Sequence, residues 1–222
     1  MENRPITAVV ICNGELDDAR HTLRLIRRAD LVIAADGGTR HLHALRCSPD
    51  VIIGDMDSIE PSRSSSFPTA ECVRFPVRKD QSDTQLGIEL AVNRGASRVI
   101  LAAAFGGRPD HIIGHISLLA RYPGILEIHE HGMVIRFVEA GVTAGIDAGA
   151  GMLVSLVPFP AAGKVTTWGL EYPLAGERLD AGTRGISNRV AVAGAWVRVE
   201  DGGLLLCSAR NLEDGDDRET EI

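Results

Sequence analysis

Nine aromatic residues among 222 leave little ring surface in this chain: five Phe, two Tyr and two Trp. A flat or cationic ligand that wants an aromatic wall has few side chains to lie against. Positive charge is also short. Lysine and arginine number 23 against 30 acidic residues, a formal net charge of −7. A general nucleic-acid binder would present a basic face, so that class is set aside. A polyphosphate substrate survives the argument, because divalent metal can stand between acidic loops and phosphate. The four cysteines, Cys12, Cys47, Cys72 and Cys207, form no CxxC pair and no metal-ligand spacing, and are expected to be reduced and mostly buried. No stretch approaches the roughly 18 apolar residues of a membrane span. An acidic residue at position 2 and the short apolar run Ile6 to Cys12 do not read as a secretion signal, so a cytoplasmic location is expected. Two catalytic signatures are missing as well. Without GxSxG there is no serine elbow, and without GxxxxGK[ST] there is no ordinary phosphate loop.

What is present divides into two halves. From Ala8 to His129, short apolar runs alternate with helical patterns. Candidate strands are Ala8–Ile11, Leu31–Ala35, Val51–Ile53, Cys72–Phe75, Arg98–Ala103 and Ile125–Ile128. Helices are expected at about Leu16–Arg28, Thr39–Arg46, Thr84–Asn93 and His111–Arg121. The runs at 31–35 and 51–53 lack polar alternation, as strands covered on both faces should. The class predicted is α/β, a mostly parallel sheet flanked by helices. After about residue 131, β-type runs at Val134–Glu139, Met152–Val157, Val165–Trp168, Val190–Val199 and Leu204–Cys207 are parted by Gly-rich turns. That pattern predicts a small C-terminal all-β sandwich. The expected organisation is an α/β domain over 1–131, a β domain over 132–212 and a charged tail over 213–222.

Four polar clusters follow predicted strands: Asp36-Gly37-Gly38, Gly54-Asp55-Met56-Asp57-Ser58, Lys79-Asp80-Gln81-Ser82-Asp83 and Gly106-Gly107-Arg108-Pro109-Asp110-His111. Carboxyl ends of strands form the edge where open α/β sheets bind ligands. Six aspartates gathered there (36, 55, 57, 80, 83 and 110) would repel one another unless a cation stood among them. Magnesium takes oxygen ligands and bridges carboxylates to phosphates. Lys79 and Arg108 are the natural phosphate contacts, and the Gly pairs permit close backbone approach. The set points to phosphoryl or pyrophosphoryl transfer. Each cluster also has a plain structural reading. Ser82-Asp83-Thr84-Gln85 fits a helix capping box, Asp110 fits an N-cap, and Asp36-Gly37-Gly38 fits a turn. Asp55-Met56-Asp57 resists such a reading, since paired carboxylates after a buried strand seldom serve a fold. His111 and His115 have the i, i+4 spacing of a zinc pair but no third ligand nearby, so His111 is read beside the phosphates. His41, His43, His129 and His131 are read as surface or structural.

Taken in order, these strings resemble the thiamine pyrophosphokinase (thiamine diphosphokinase) family. The matching stretches are Ala34 to Gly38, Pro49 to Ile59, Lys79 to Thr84 and Gly106 to His111. Weaker matches follow at Ser155 to Pro158, Gly169 to Leu174 and Ser187-Asn188. The resemblance implies an α/β ATP-binding catalytic domain, a β-sandwich for thiamine binding and dimerisation, and a homodimer. The reaction it implies moves the pyrophosphoryl group of ATP to the thiamine hydroxyl, giving thiamine diphosphate and AMP. Carried over, Asp55, Asp57 and Asp83 would hold Mg2+, with Asp57, Asp83, Arg108 and Asp110 catalytic. Asp36, Gly37, Gly38, Lys79, Asp80, Gly107, Arg108 and His111 would bind ATP. Tyr172, Ser187 and Asn188 would contact thiamine, although Tyr172 also fits a core or dimer position and Ser187-Asn188 an ordinary turn. The hydroxyl proton falls to Asp57 or Asp110. His115 stands where family members often have asparagine, and Gln85 where an acidic residue is frequent. A pterin or other hydroxymethyl heterocycle as acceptor, and a non-catalytic nucleotide or thiamine-diphosphate binder, are the alternatives.

Overall fold

The computed structural model describes residues 4–54, 67–74 and 80–210, and divides the chain into two compact units that meet at His131 and Gly132. The first is mixed α/β. Its strands are β1 (Ile6–Ile11), β2 (Leu31–Ala35), β3 (Val51–Gly54), β4 (Glu71–Arg74), β5 (Ala96–Ala102) and β6 (Leu126–Glu130). Its helices are α1 (Ala19–Arg28), α2 (Thr39–Ala44), α3 (Asp83–Asn93) and α4 (Pro109–Arg121). The strands run in the order β4-β3-β2-β1-β5-β6, and every pairing among them is parallel.

Period-2 alternation sorts the two faces. Val9, Ile11, Val32 and Ile52 join Ile26 of α1 and Leu42 of α2 in one core cluster. Val10 and Ile33 point the other way, against Gly87 of α3, where an added Cβ would stand 3.3 Å from Val10 and 3.5 Å from Ile33. Both faces are therefore covered, which is why β2 and β3 are buried at every position. The helix ends follow local chemistry. Asp18 caps α1 by accepting from the His21 amide at 2.9 Å, and Arg27 and Arg28 close its last turn. Pro109 opens α4 where no amide partner is needed.

Chain direction decides which edge of the sheet can take a ligand. From β1 the chain moves outward through β2, β3 and β4, then returns to the opposite side of β1 as β5. The order reverses at β1 and β5, so the loops after those two strands mark the switch point of the sheet.

Beneath that edge lies a part-buried polar chain. Glu127 of β6 takes a bond from Arg98 at 2.7 Å and lies 3.0 Å from His129, whose other ring nitrogen meets His21 at 3.0 Å. Burial works against an ionised Glu127, but the bonds from His129 and Arg98 outweigh it and hold the carboxyl at about 2. A folded value below the ordinary 4.5 contributes stability above that pH and loses it as pH falls toward 2. Glu127→Gln is therefore expected to lower Tm at neutral pH, with the gap to the parent closing on acidification, as thermal melts across the acid range would record.

The second unit is antiparallel. Its strands are β7 (Met133–Glu139), β8 (Thr143–Gly145), β9 (Leu153–Trp168), β10 (Ala175–Leu179), β11 (Asn188–Arg189), β12 (Trp196–Arg198) and β13 (Asp201–Ala209). They run β7-β13-β9-β12-β8, with β10 and β11 also paired to β9. Val154, Leu156, Val165, Leu179, Val197, Leu204 and Leu206 lie in its core.

Several expectations need correction. The runs at 152–157 and 165–168 are one 16-residue strand. Pro158 sits within it opposite Leu204, and the register shifts between Gly202 and Leu204 of the partner strand. The single strand expected over 190–199 is broken, because the Ala191 and Val192 amides both reach Gly169 O while Gly194 turns at φ +78°. β10, with sequence AGERL, lacks the β-branched residues that mark a strand and was not anticipated. Of the cysteines only Cys12 is fully buried; Cys72 is exposed on β4. The histidines need none: His41 and His129 are buried and His131 is exposed, within the surface-or-structural reading.

Candidate active site

The loop after β1 is the centre of the switch-point edge. Gly14 N donates to Ala103 O at 2.7 Å and Glu15 N to Phe105 O at 2.6 Å, so this loop is stitched to the one after β5. A Cβ on Gly14 would stand 2.1 Å from Phe105 O, which is why glycine is required there. Arg40 of α2 donates to the carbonyls of Asn13 at 3.0 Å and Gly14 at 2.8 Å. The His41 ring reaches the same Gly14 carbonyl at 2.9 Å, and burial, with Arg40 adding, lowers its pKa. A neutral ring donating from Nε2 fits both facts.

Asp36 follows β2 in a left-handed conformation, φ +50°, and accepts from the Asn13 side-chain amide at 2.8 Å. Asp36–Gly38 form one 3-10 turn leading into α2. A Cβ on Gly37 would strike the Asn13 side chain at 2.2 Å, so the loops after β1 and β2 are packed backbone to side chain. Asp80 is exposed, and Asp83 is half-buried at the first position of α3. Ser82 caps that helix by accepting from Gln85 N at 3.3 Å. The reciprocal half of the capping box is not made, since the Gln85 side chain turns to Glu89 at 3.0 Å.

After β5, Gly106 and Gly107 adopt φ +89° and +74°. Arg108 forks onto Asp110 through bonds of 3.1 and 2.5 Å, both side chains being exposed. The Arg108 guanidinium holds the Asp110 carboxyl at about 2, and the Arg108 pKa rises in turn. His111 is exposed and meets His115 edge to face at 6.2 Å. His115 is 5% exposed. Its Nδ1 lies 2.8 Å from Ala104 O and its Nε2 3.1 Å from the Thr84 hydroxyl. Burial lowers its pKa, which keeps the ring neutral. Both ring nitrogens of His115 are thus engaged within the protein.

Asp55, Asp57 and Lys79 lie outside the described residues. Among the described residues, Asp36, Asp80, Asp83 and Asp110 do not by themselves close into a three-donor cluster. The structure does bring together Asp36 with Asn13, and Arg108 with Asp110. Sequence reasoning missed Asn13, Glu15 and Arg40. Asn13-Gly14 follows the β1 run as closely as the other clusters follow theirs, so the same strand-end rule could have found it.

In the second unit, segments 168–172 and 188–192 run side by side through the Leu170–Val190 bridge and the bond from Glu171 N to Arg189 O. Tyr172 is 65% exposed, which removes the core reading of this residue. Asn188 is buried and braces Tyr172 in both directions: Oδ1 accepts from Tyr172 N at 3.0 Å and Nδ2 donates to Tyr172 O at 2.7 Å. Ser187 is exposed, at φ +62°, with its amide on Ser155 Oγ at 3.0 Å. Trp168 is half-exposed beside this ribbon.

Two family models match along the chain. Residues 22–128 match "Thiamin pyrophosphokinase, catalytic domain", and residues 145–204 match "Thiamin pyrophosphokinase, vitamin B1 binding domain". Thiamine pyrophosphokinase 1 of Oryza sativa subsp. japonica is 30% identical over 141 residues, 53% of this chain and 53% of that protein. Thiamine pyrophosphokinase of Bacillus subtilis (strain 168) is 33% identical over 97 residues, 43% of this chain and 44% of that protein. The chain spans about half the length of the curated relatives it matches. Among solved structures, Thiamin pyrophosphokinase from Geobacillus thermodenitrificans superposes with a TM-score of 0.79 at 24% identity, covering 94% of this chain and 99% of that one. The yeast enzyme gives 0.77 at 15% identity, covering 94% and 87%. At these identities the likeness is one of fold. Two models of one family match in order along most of the sequence, and the chain belongs to the thiamin pyrophosphokinase family.

Proposed function

We propose that this chain is an ATP-dependent thiamine diphosphokinase: it moves the pyrophosphoryl group of ATP onto the hydroxyethyl oxygen of thiamine and releases AMP. One observation carries the reading. Among the described residues, Asp36 follows β2 and Arg108 and Asp110 follow β5 at the carboxyl edge of a parallel sheet, in a chain whose two halves match the two family models in order.

In this reading the first unit binds ATP and the second, taken as a small β-sandwich, binds thiamine and forms the homodimer. Asp36 and the Gly37-Gly38 backbone face phosphate, with Asn13 fixing the Asp36 carboxylate. Arg108 leaves Asp110 to fork onto a phosphate oxygen pair, and Lys79, Asp80, Gly107 and His111 complete the phosphate contacts. Half-buried Asp83, the described member of the proposed set, offers a hard oxygen of the kind Mg2+ accepts. Asp55, Asp57 and Asp83 would hold it. The chemistry it supplies when bound is neutralisation of phosphate charge. The thiamine oxygen attacks the β-phosphorus, the bond from that phosphorus to the AMP oxygen breaks, and the hydroxyl proton passes to a carboxylate. That carboxylate is Asp57 or Asp110: the Arg108 bond holds Asp110 at about 2, and Asp110 becomes the better acceptor once Arg108 turns to phosphate.

Tyr172 offers an exposed ring to the thiazolium, with Asn188 locking the backbone beneath it and Ser187 alongside. A cation over a ring contributes about 0.5–2 kcal/mol. Tyr172→Ala is therefore expected to raise the KM for thiamine roughly 2- to 30-fold with kcat little changed, as steady-state assays would measure. The function itself is tested by incubating purified protein with ATP, Mg2+ and thiamine. AMP and thiamine diphosphate should appear in equal amounts. AMP formed with hydroxymethylpterin but not with thiamine, or tight nucleotide binding without AMP, would overturn the proposal.

A further inference from the structure

Strand β6 ends on a carboxylate that is almost wholly out of water. Glu130 is 2% exposed. Its Oε1 accepts from the Ala104 amide, and its Oε2 has no hydrogen-bond partner. Among the described residues no lysine or arginine pairs with it. Two other donors face it: the Asp17 carboxylate from the loop after β1, and the His131 ring just past β6. One ligand atom from each of the three lies within 4.8 Å of the other two. His131 adopts φ +47°, with its amide on Asp17 Oδ2 and its Nδ1 3.3 Å from the same oxygen.

An ionised carboxylate buried with one oxygen unsatisfied and a second carboxylate nearby is costly, and a bound cation or a retained proton offsets that cost. The spacing is compatible with a shared cation. Donors sharing one ion at roughly 2.1 Å stand about 3.0–3.4 Å apart, close to the His131 to Asp17 separation of 3.3 Å. The exposed His131 side chain has room to close the remaining distance, while the Asp17 side chain is largely covered and Glu130 is held by Ala104.

We propose that Asp17, Glu130 and His131 form a binding site for a first-row divalent cation, which clamps the ends of β1, β5 and β6 together. Two carboxylate oxygens and one imidazole nitrogen suit Zn2+ or Mn2+ better than Ca2+, because the ring nitrogen is a softer donor than calcium prefers. Water completes the coordination on the open side. Asp17 and Glu130 lie 113 positions apart, and the β5 loop joins them through Ala104. A cation there would fasten three loops of the switch-point edge.

The test uses the full chain, stripped of metal with chelator and free of nucleotide. Zn2+ and, separately, Mn2+ are titrated into the parent, Glu130→Gln and His131→Ala, with stoichiometry read by calorimetry and Tm by thermal melt. The parent is expected to bind one more equivalent than either variant, and its Tm to rise with added ion. In 15N-histidine-labelled protein, Mn2+ should broaden the His131 ring signals and leave those of exposed His43 sharp. Because His131 is exposed, His131→Ala keeps the test valid if Glu130→Gln fails to fold. Equal stoichiometry in all three proteins would overturn the proposal. So would a parent that binds neither ion at this group, since a proton shared by the two carboxylates would then fill the place.

Discussion

Asp57→Ala and Asp83→Ala are each expected to lower AMP release from ATP and thiamine by on the order of 10²–10³-fold, with the fold retained. The size follows from what these carboxylates are proposed to do. Transfer to the thiamine oxygen concentrates negative charge on phosphates, so the charge pattern fixed around them controls the barrier more than any covalent step. Asp83 has a second duty that must be separated from the first. As the first residue of α3 it lies at the positive helix end, a placement contributing about 0.3–1 kcal/mol to stability. Asp83→Asn keeps the size and polarity of the side chain while removing its charge, so its activity should fall as far as that of Asp83→Ala. AMP assays at saturating ATP, Mg2+ and thiamine, paired with melting curves, give both readouts. Either aspartate replaced with turnover within tenfold of the parent would remove it from the metal and phosphate machinery.

Gly14→Ala is expected to cost about 1–3 kcal/mol of stability and most of the activity together. The new methyl would stand 2.1 Å from Phe105 O and 2.5 Å from Ala103 O, both backbone atoms. No rotamer relieves that contact, so the loop after β1 must retreat and give up its bonds to Ala103 and Phe105. Asn13 moves with it, and Asn13 holds Asp36. Gly114→Ala supplies the control: on α4 an added Cβ meets nothing within 4 Å, and Ala is the better helix former by about 1 kcal/mol. That variant should be as active as the parent and no less stable. A Gly14→Ala protein with parental Tm and rate would mean that the stitch between the two loops carries no weight.

Much of the first unit was legible because its signals are local. Leu31–Ala35 stands at the bounds expected, since five apolar residues lie between Asp30 and Asp36 and both sheet faces are covered. The helices were placed from their apolar spacing, and their starts shifted by one to three residues once Asp18, Ser82 and Pro109 declared the caps. In the second unit the signals misled. Prolines and glycines within 158–163 read as a break, yet a strand paired through Leu204, Gly202 and Asp201 runs across them, because pairing on the partner side tolerated a shift of register. At the site, strand-end position singled out Asp36 and the Gly106–His111 cluster without help from the fold. The bracing of Tyr172 by Asn188 joins residues 16 apart, and the Asp17, Glu130 and His131 group spans most of the unit. Those relations exist only after the chain has folded, and no window of sequence contains them.

His115 has one more implication. Its ring spans from Ala104, where the stretch leading to Arg108 begins, to Thr84, the neighbour of Asp83. The imidazole thus acts as a spacer of fixed width between an arginine arm and an aspartate arm. Those arms cannot be tuned one at a time: a shorter side chain at 115 would have to draw both inward or let go of one, and a substitution at either end is transmitted to the other through a single flat ring.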